Sequence, residues 1–225
     1  VAPFPLTSYD EVNGWGEMML EVIEKGQMPP WFANAEYGPY KNDCRLKKKK
    51  KDTLRTWVAN GSPEGDPSDL PEPPQFAEGW QIGEPDQIVE LPVDYEVPAE
   101  GVVEYKYFVV DPGWTEDKWI KAAEARPGNR AVVHHIIATP GAGFAPGMPP
   151  TIHPEGVATF VPAGTKIRFQ MHYTPNGSPQ TDRSKVGFIF CDESEVEKIS
   201  SGGLIGKWNF AIPPHDPNYK IVAEQ

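Results

Sequence analysis

From Trp80 onward the chain is a succession of short apolar segments, each closed by a strong turn signal. Asp111-Pro112-Gly113, Pro127-Gly128-Asn129, Pro162-Ala163-Gly164 and Pro175-Asn176-Gly177 are the breaks. The segments expected to form strands are Gln87–Leu91, Val102–Val110, Lys118–Glu124, Ala131–Ala138, Val157–Phe160, Lys166–Tyr173 and Lys185–Cys191. No helical periodicity lies between them, and strands at this spacing predict a mainly β fold, an antiparallel jelly-roll-like β-sandwich. With 26 Pro and 21 Gly in 225 residues, helix is restricted to a minor share. The 7 Trp, 8 Tyr and 10 Phe supply enough apolar bulk for a packed core and argue against disorder.

The first zone, residues 1–65, is expected to be a small α-helical segment. Ser8 reads as an N-cap with Glu11 three residues on, and Trp15, Met18, Met19, Val22 and Ile23 recur at helical spacing. Gly26 and Pro29-Pro30 end that helix, which is thus predicted to run unbroken from Ser8. A second helix is predicted over Leu46–Ala59, with Leu54, Trp57 and Val58 on its apolar face and Gly61 as its stop. Residues 66–79, with Asp66-Pro67 and Pro71-Glu72-Pro73-Pro74, read as an extended, proline-rich linker. Residues 80–212 are the sandwich, with Pro140–Pro150 as a Gly/Pro-rich loop and Leu204–Ile212 as a last apolar stretch. Residues 213–225 read as the entry into a further strand or a second sandwich. The chain opens at Val1-Ala2-Pro3-Phe4 without methionine, and is expected to be a processed or excised piece of something longer.

A formal net charge of −11 repels phosphate backbones, so nucleic acid is not an expected partner. The run Lys47–Lys51 reads as a solvated helix face in this acidic setting. No apolar run approaches the ~18 residues of a membrane span. Cys44 and Cys191 are the only cysteines, and a bridge between them and two free thiols both stay open. No nucleophile elbow, phosphate loop or His-Glu-x-x-His is present, and no acid/base pair stands out as catalytic.

Chemistry concentrates in the histidines. His134 and His135 are consecutive inside the apolar segment Ala131–Ile137, and His172 lies in Ile167–Tyr173. Three imidazoles without a thiolate suit copper or zinc. Against this, consecutive strand residues point to opposite faces. Two readings therefore stand at this point: a shared metal site made possible by an edge, a bulge or a strong twist, or one histidine in the core and its neighbour in solvent. His153 is expected to be an exposed loop residue, and His215 a structural residue of the Pro-rich exit.

Arg126-Pro127-Gly128-Asn129-Arg130-Ala131-Val132-Val133-His134-His135-Ile136-Ile137 resembles the strand with paired histidines in copper type II, ascorbate-dependent monooxygenases. That family includes peptidylglycine α-hydroxylating monooxygenase and dopamine β-monooxygenase. Phe169-Gln170-Met171-His172-Tyr173 resembles the strand carrying the third histidine of the same site, and Asp182-Arg183-Ser184-Lys185-Val186-Gly187 fits the pattern. The resemblance spans about residues 87–212. It implies a sandwich of eight to nine strands holding one copper, the electron-transfer copper, on His134, His135 and His172. It also implies an electron donor, a small-molecule reductant or a haem domain, and a second copper domain as partner. Such enzymes bind their oxygen-activating copper through a His-x-His pair and a Met, and this sequence has no His-x-His. Hydroxylation is therefore not expected of these residues alone.

Gly26-Gln27-Met28-Pro29-Pro30-Trp31, with the helix ending Trp57-Val58-Ala59-Asn60-Gly61, is similar to the C-terminal half of a cytochrome c-like domain. That similarity implies Met28 as an axial ligand to haem c, although Cys-x-x-Cys-His is absent. Fusions of the two modules resemble large exported proteins of planctomycete-type bacteria, which implies a periplasmic or extracytoplasmic setting. The leading expectation is a copper-binding redox module. A non-catalytic β-sandwich for binding or structure, a cytochrome fragment and a zinc hydrolase are the alternatives.

Overall fold

The computed structural model describes residues 6, 8–31, 33–40, 42–72, 79–202 and 205–224. The opening Val1-Ala2-Pro3-Phe4, the 73–78 portion of the expected linker and Leu204 lie outside the described residues. The chain divides into two units, Val1–Gln75 and Phe76–Gln225.

In the first unit, Ser8 caps α1 (Tyr9–Val12) by accepting the backbone N–H of Glu11. The predicted single helix is in fact two. The chain turns at Asn13-Gly14, where Gly14 has φ of 92°, and α2 (Gly16–Glu24) then begins. A left-handed residue cannot continue an α-helix, and glycine takes that conformation without a Cβ penalty. The second predicted helix starts two residues later than expected, as α3 (Lys48–Ala59). Gly16 lets α3 approach α2 closely, since a Cβ there would lie 2.9 Å from a Val58 methyl. The expected extended spacer begins instead with a 3₁₀ turn, Pro67–Asp69, capped by the Asp66 carboxylate on the N–H of Ser68.

The second unit is a β-sandwich, antiparallel but for one short parallel pairing. Its strands are β1 (Gln87–Glu90), β2 (Tyr95–Val97), β3 (Lys106–Val110), β4 (Lys118–Arg126), β5 (Val133–Thr139), β6 (Ala142–Phe144), β7 (Thr151–Ile152), β8 (Val157–Val161), β9 (Ile167–Tyr173), β10 (Gln180–Asp182), β11 (Lys185–Cys191) and β12 (Lys198–Ile199). One sheet runs β1-β11-β4-β8-β12 with β7 added on β4, the other runs β3-β9-β5-β6, and β2 pairs with β10. The seven predicted strands all exist, with shifted ends. Val102–Tyr105 and Ala131-Val132 are not strand, and the predicted loop 140–150 contains β6. The implied eight to nine strands become twelve among the described residues, because β2, β6, β7, β10 and β12 have only two or three residues each. The predicted apolar stretch to Ile212 and the predicted strand entry after it carry no regular structure over residues 205–224, and Trp208 and Phe210 are exposed.

Alternation along the strands builds the core. Ile120, Ala123 and Ala125 of β4 and Val186 and Phe188 of β11 pack in one cluster with Ile136 and Ala138 of β5 and Phe169 and Met171 of β9. Trp114 meets the Phe188 ring edge-on at 5.4 Å, and its indole N–H donates to Gln87 Oε1. Each such fully buried large side chain is worth roughly 1.5–3 kcal/mol relative to exposure. Buried Glu124 is satisfied by the N–H groups of Gln81 and Ile82 and by Arg126 at 3.7 Å. Cys44 and Cys191 are both free thiols. Among the described residues no helix is long and apolar enough to cross a membrane.

Candidate metal centre

β5 and β9 are neighbours in the four-stranded sheet, with Ile136 opposite Met171 and Ile137 opposite Gln170. Going back along β5, Ile136 points inward, so His135 points outward, directly across from His172. Regular alternation would then turn His134 into the core. It does not, because the register slips between Val133 and His135. Val133 pairs with Tyr173 and is buried, leaving His134 as the extra residue of a β-bulge. The bulge puts two consecutive imidazoles on one face, opposite a third, and so removes the geometric objection to a shared site.

The result is a compact triangle on the outer face of the sheet. Ring centroids lie 5.6 Å apart for His134–His135, 4.8 Å for His134–His172 and 5.0 Å for His135–His172. One ring nitrogen from each histidine falls within 4.8 Å of the others. His134 is exposed, and His135 and His172 are half-buried. Nδ1 of His134 and Nδ1 of His135 are 3.4 Å apart. Nδ1 of His172 is buried and has no hydrogen-bond partner among the described residues. A buried ring nitrogen without a partner is costly, and a cation removes that cost.

Electrostatics favour the neutral, metal-ready form. Burial lowers the pKa of His135, the charge on His134 lowers it further, and a side-chain hydrogen bond with Gln170 opposes the fall. His172 is lowered by burial and then by His134 and His135. Neutral imidazole is the ligating form. No carboxylate or thiol belongs to the cluster, so its donors are three borderline nitrogens.

Tyr105 is a neighbour that sequence reasoning missed. Its ring lies 4.9 Å from His172, edge-on, and 5.7 Å from His135. It precedes β3, whose Lys106 pairs with Met171, and only that pairing brings it beside His172. An open depression of about 600 Å³, lined by Ile137, Phe144 and Met148, borders His134 and His135.

The remaining candidates are not members of this cluster. His153 is not the exposed residue expected. It is half-buried, its ring Nε2 is 2.9 Å from Thr159 Oγ1, and its N–H donates to the Lys121 carbonyl, because β7 and β8 fold back on β4. His215 is exposed with φ of 66°. Met28 belongs to the helical unit, is 49% exposed, and has its backbone N–H on the Val22 carbonyl. Near it in sequence, the buried indole nitrogen of Trp31 has no hydrogen-bond partner, and the ring meets Tyr40 edge-on.

No protein-family model, curated protein or solved structure matches the chain.

Proposed function

We propose that the β-sandwich is a copper-binding redox module, the electron-transfer half of a copper-dependent monooxygenase-like protein. The convergence of His134, His135 and His172 through the β5 bulge carries this reading. The resemblance of both histidine-bearing segments to the copper type II monooxygenases supports copper over zinc. Copper bound there would supply one-electron cycling between Cu(I) and Cu(II).

The chain's own residues bind and orient. His135 and His172 present neutral rings from paired strands, and exposed His134 completes the face while leaving it open to solvent. Tyr105 packs on two of the rings and shields them from one side. The electron donor in this reading is a small-molecule reductant or a haem domain, and the acceptor is a second copper domain. The setting is periplasmic or extracytoplasmic. Substrate hydroxylation is not assigned to these residues.

The test is metal content followed by electron paramagnetic resonance. After chelation and reloading, the protein is expected to hold one Cu(II) per chain with nitrogen hyperfine structure. His172→Ala should lose that spectrum. Absence of stoichiometric copper, or an unchanged spectrum in His172→Ala, leaves a non-catalytic sandwich.

A haem role for the helical unit is a second reading, favoured by the half-exposed Met28 thioether and the unpartnered Trp31 indole nitrogen. Residues 1–75 hold no histidine and no Cys-x-x-Cys-His, so they offer one axial ligand and no attachment site. A Soret band in the purified full-length protein is the outcome expected if Met28 serves haem, and a flat Soret region removes that role.

A further inference from the structure

The three imidazoles depend on an irregularity, and an irregularity needs something to hold it. Directly before the bulge, residues 127–132 do not pair as strand. They form a tight turn in which the Asn129 carbonyl accepts the N–H groups of Val132 and Val133, and Asn129 Oδ1 accepts that of Ala131. The Val132 carbonyl accepts the N–H of Thr174, which ties the turn to the end of β9. This turn is pressed against the segment 182–184. A Cβ on Gly128 would lie 2.6 Å from the Arg183 carbonyl oxygen, so no other residue fits there without a shift.

At the centre of that contact lies Asp182, 1% exposed. Its Oδ1 accepts the N–H of Asn129 at 2.8 Å. Its Oδ2 accepts the hydroxyl of Tyr173, the residue after His172, at 2.9 Å. The hydroxyl and N–H of Ser184 complete the set, at 2.8 and 3.2 Å from Oδ2. Ser184 Oγ in turn accepts the N–H of Gly128. A single buried carboxylate thus grips the chain before His134-His135 and the residue after His172. Val133 and Tyr173 are the last regular pair before the slip, so the grip lies beside the register change itself.

We propose that Asp182 is a positioning residue for the three-imidazole site: by clamping Asn129 and Tyr173 it holds the β5 bulge in the register that puts His134 and His135 on the same face as His172. The inference rests on reading those histidines as metal ligands, and it adds a residue outside the ligand set that decides their geometry. Asp182 offers acceptors only, and four donors converge on it. An asparagine of the same shape turns one oxygen into a donor and must release at least one of them. Supporting groups of metal sites characteristically alter affinity about tenfold or more when removed.

The experiment compares the full-length protein with Asp182→Asn and with Val161→Ala, a core truncation on β8 away from the turn. Each is followed well below its thermal midpoint. Asp182→Asn is expected to weaken Cu(II) binding about tenfold and to change the Cu(II) resonance signature. In the metal-free protein it should speed hydrogen exchange at the amides of Val132, Val133 and Thr174, while β4 and β11 stay protected. Val161→Ala should lower the thermal midpoint and change none of these. If Asp182→Asn behaves like Val161→Ala, the inference is overturned. If Asp182→Asn does not fold, Tyr173→Phe decides, because it keeps the carboxylate and removes only one donor. A smaller shift of signature and exchange in the same direction supports the inference, and no shift overturns it. If the unaltered protein binds no copper, the metal reading falls by itself, and the exchange pattern alone decides whether Asp182 holds the bulge.

Discussion

The two units of this chain solve the burial problem differently. In the β-sandwich, side chains such as Phe169, Met171, Ile167 and Phe188 are wholly buried. In the helical unit Ile23 is the only buried hydrophobic side chain among the described residues, while Met18 and Met28 stand more than two-fifths exposed. The helices are instead decorated with surface ion pairs. Lys25 pairs with Glu21, Lys48 and Arg55 with Asp52, and Arg55 also with Glu24. Such pairs are screened and worth at most about 1 kcal/mol each. Periodic apolar residues make a helix amphipathic, but only a covering layer turns the stripe into a core. The sandwich has that layer because each sheet covers the other, and the three-imidazole cluster stands on the outer face of a sheet whose inner face is packed in the core.

Core truncation tests this contrast most severely. Phe169→Ala should cost about 3–5 kcal/mol, read as a shift in the denaturant midpoint of the sandwich. Ile23→Ala should cost no more than about 2 kcal/mol, the low end for such deletions, because its surroundings are already partly wet. Equal costs would break the contrast. Hydrogen exchange should likewise show β4, β9 and β11 opening only with global unfolding, and α2 and α3 exchanging far sooner.

Within the sandwich, the outer face should be separable from the core that supports it. His134→Ala, a change on the solvent side, is expected to leave the stability of the metal-free protein within about 0.5 kcal/mol of the parent while weakening Cu(II) binding. His135→Ala and His172→Ala should weaken binding as well. Titration calorimetry and thermal melts on the same samples check both halves of the claim. A large stability loss with His134→Ala would make the histidine a structural part of the strand.

Acid titration gives the smallest effect, and the one that distinguishes the units by pH range. His135 and His172 have folded pKa values below the ordinary 6.5, so the unfolded chain takes up their protons first. The sandwich should therefore lose stability as pH falls below about 6.5 and stop losing it once the folded imidazoles protonate too. In the helical unit, Glu21, Asp43 and Asp52 are held below their ordinary values by hydrogen bonds from Lys25, Arg45 and Lys48, Asp43 down to about 2. Their contribution is present above about pH 4.5 and fades as pH falls toward 2. Backbone amide resonances of each unit, followed across the acid titration, should show the two ranges.

Much of the sandwich was legible because its signals are local. The turn dipeptides and the alternation of Ile167-Arg168-Phe169-Gln170-Met171 mark a strand whatever it pairs with. The short strands β2, β6, β7, β10 and β12 were not legible, since two or three residues carry no period. The break after α1 was visible only as Asn13-Gly14, a turn signal outweighed by the apolar stripe that follows. Tyr105 could not be placed beside the histidines, nor Asp182 beside the turn that precedes them, from their positions in the chain, because strand pairing and a hydrogen bond between residues 53 apart bring them there.

The amino-acid sequence alone determined the strand-rich class, the polar and apolar faces of the longer strands, and the presence of three imidazoles in two apolar segments. Only the tertiary structure decided that those imidazoles meet. The alternation of side chains is a property of neighbours along one strand, whereas a slip in register is a property of two strands and of what anchors them. The bulge at His134 exists because the ladder between β5 and β9 and the buried carboxylate of Asp182 fix both ends of it.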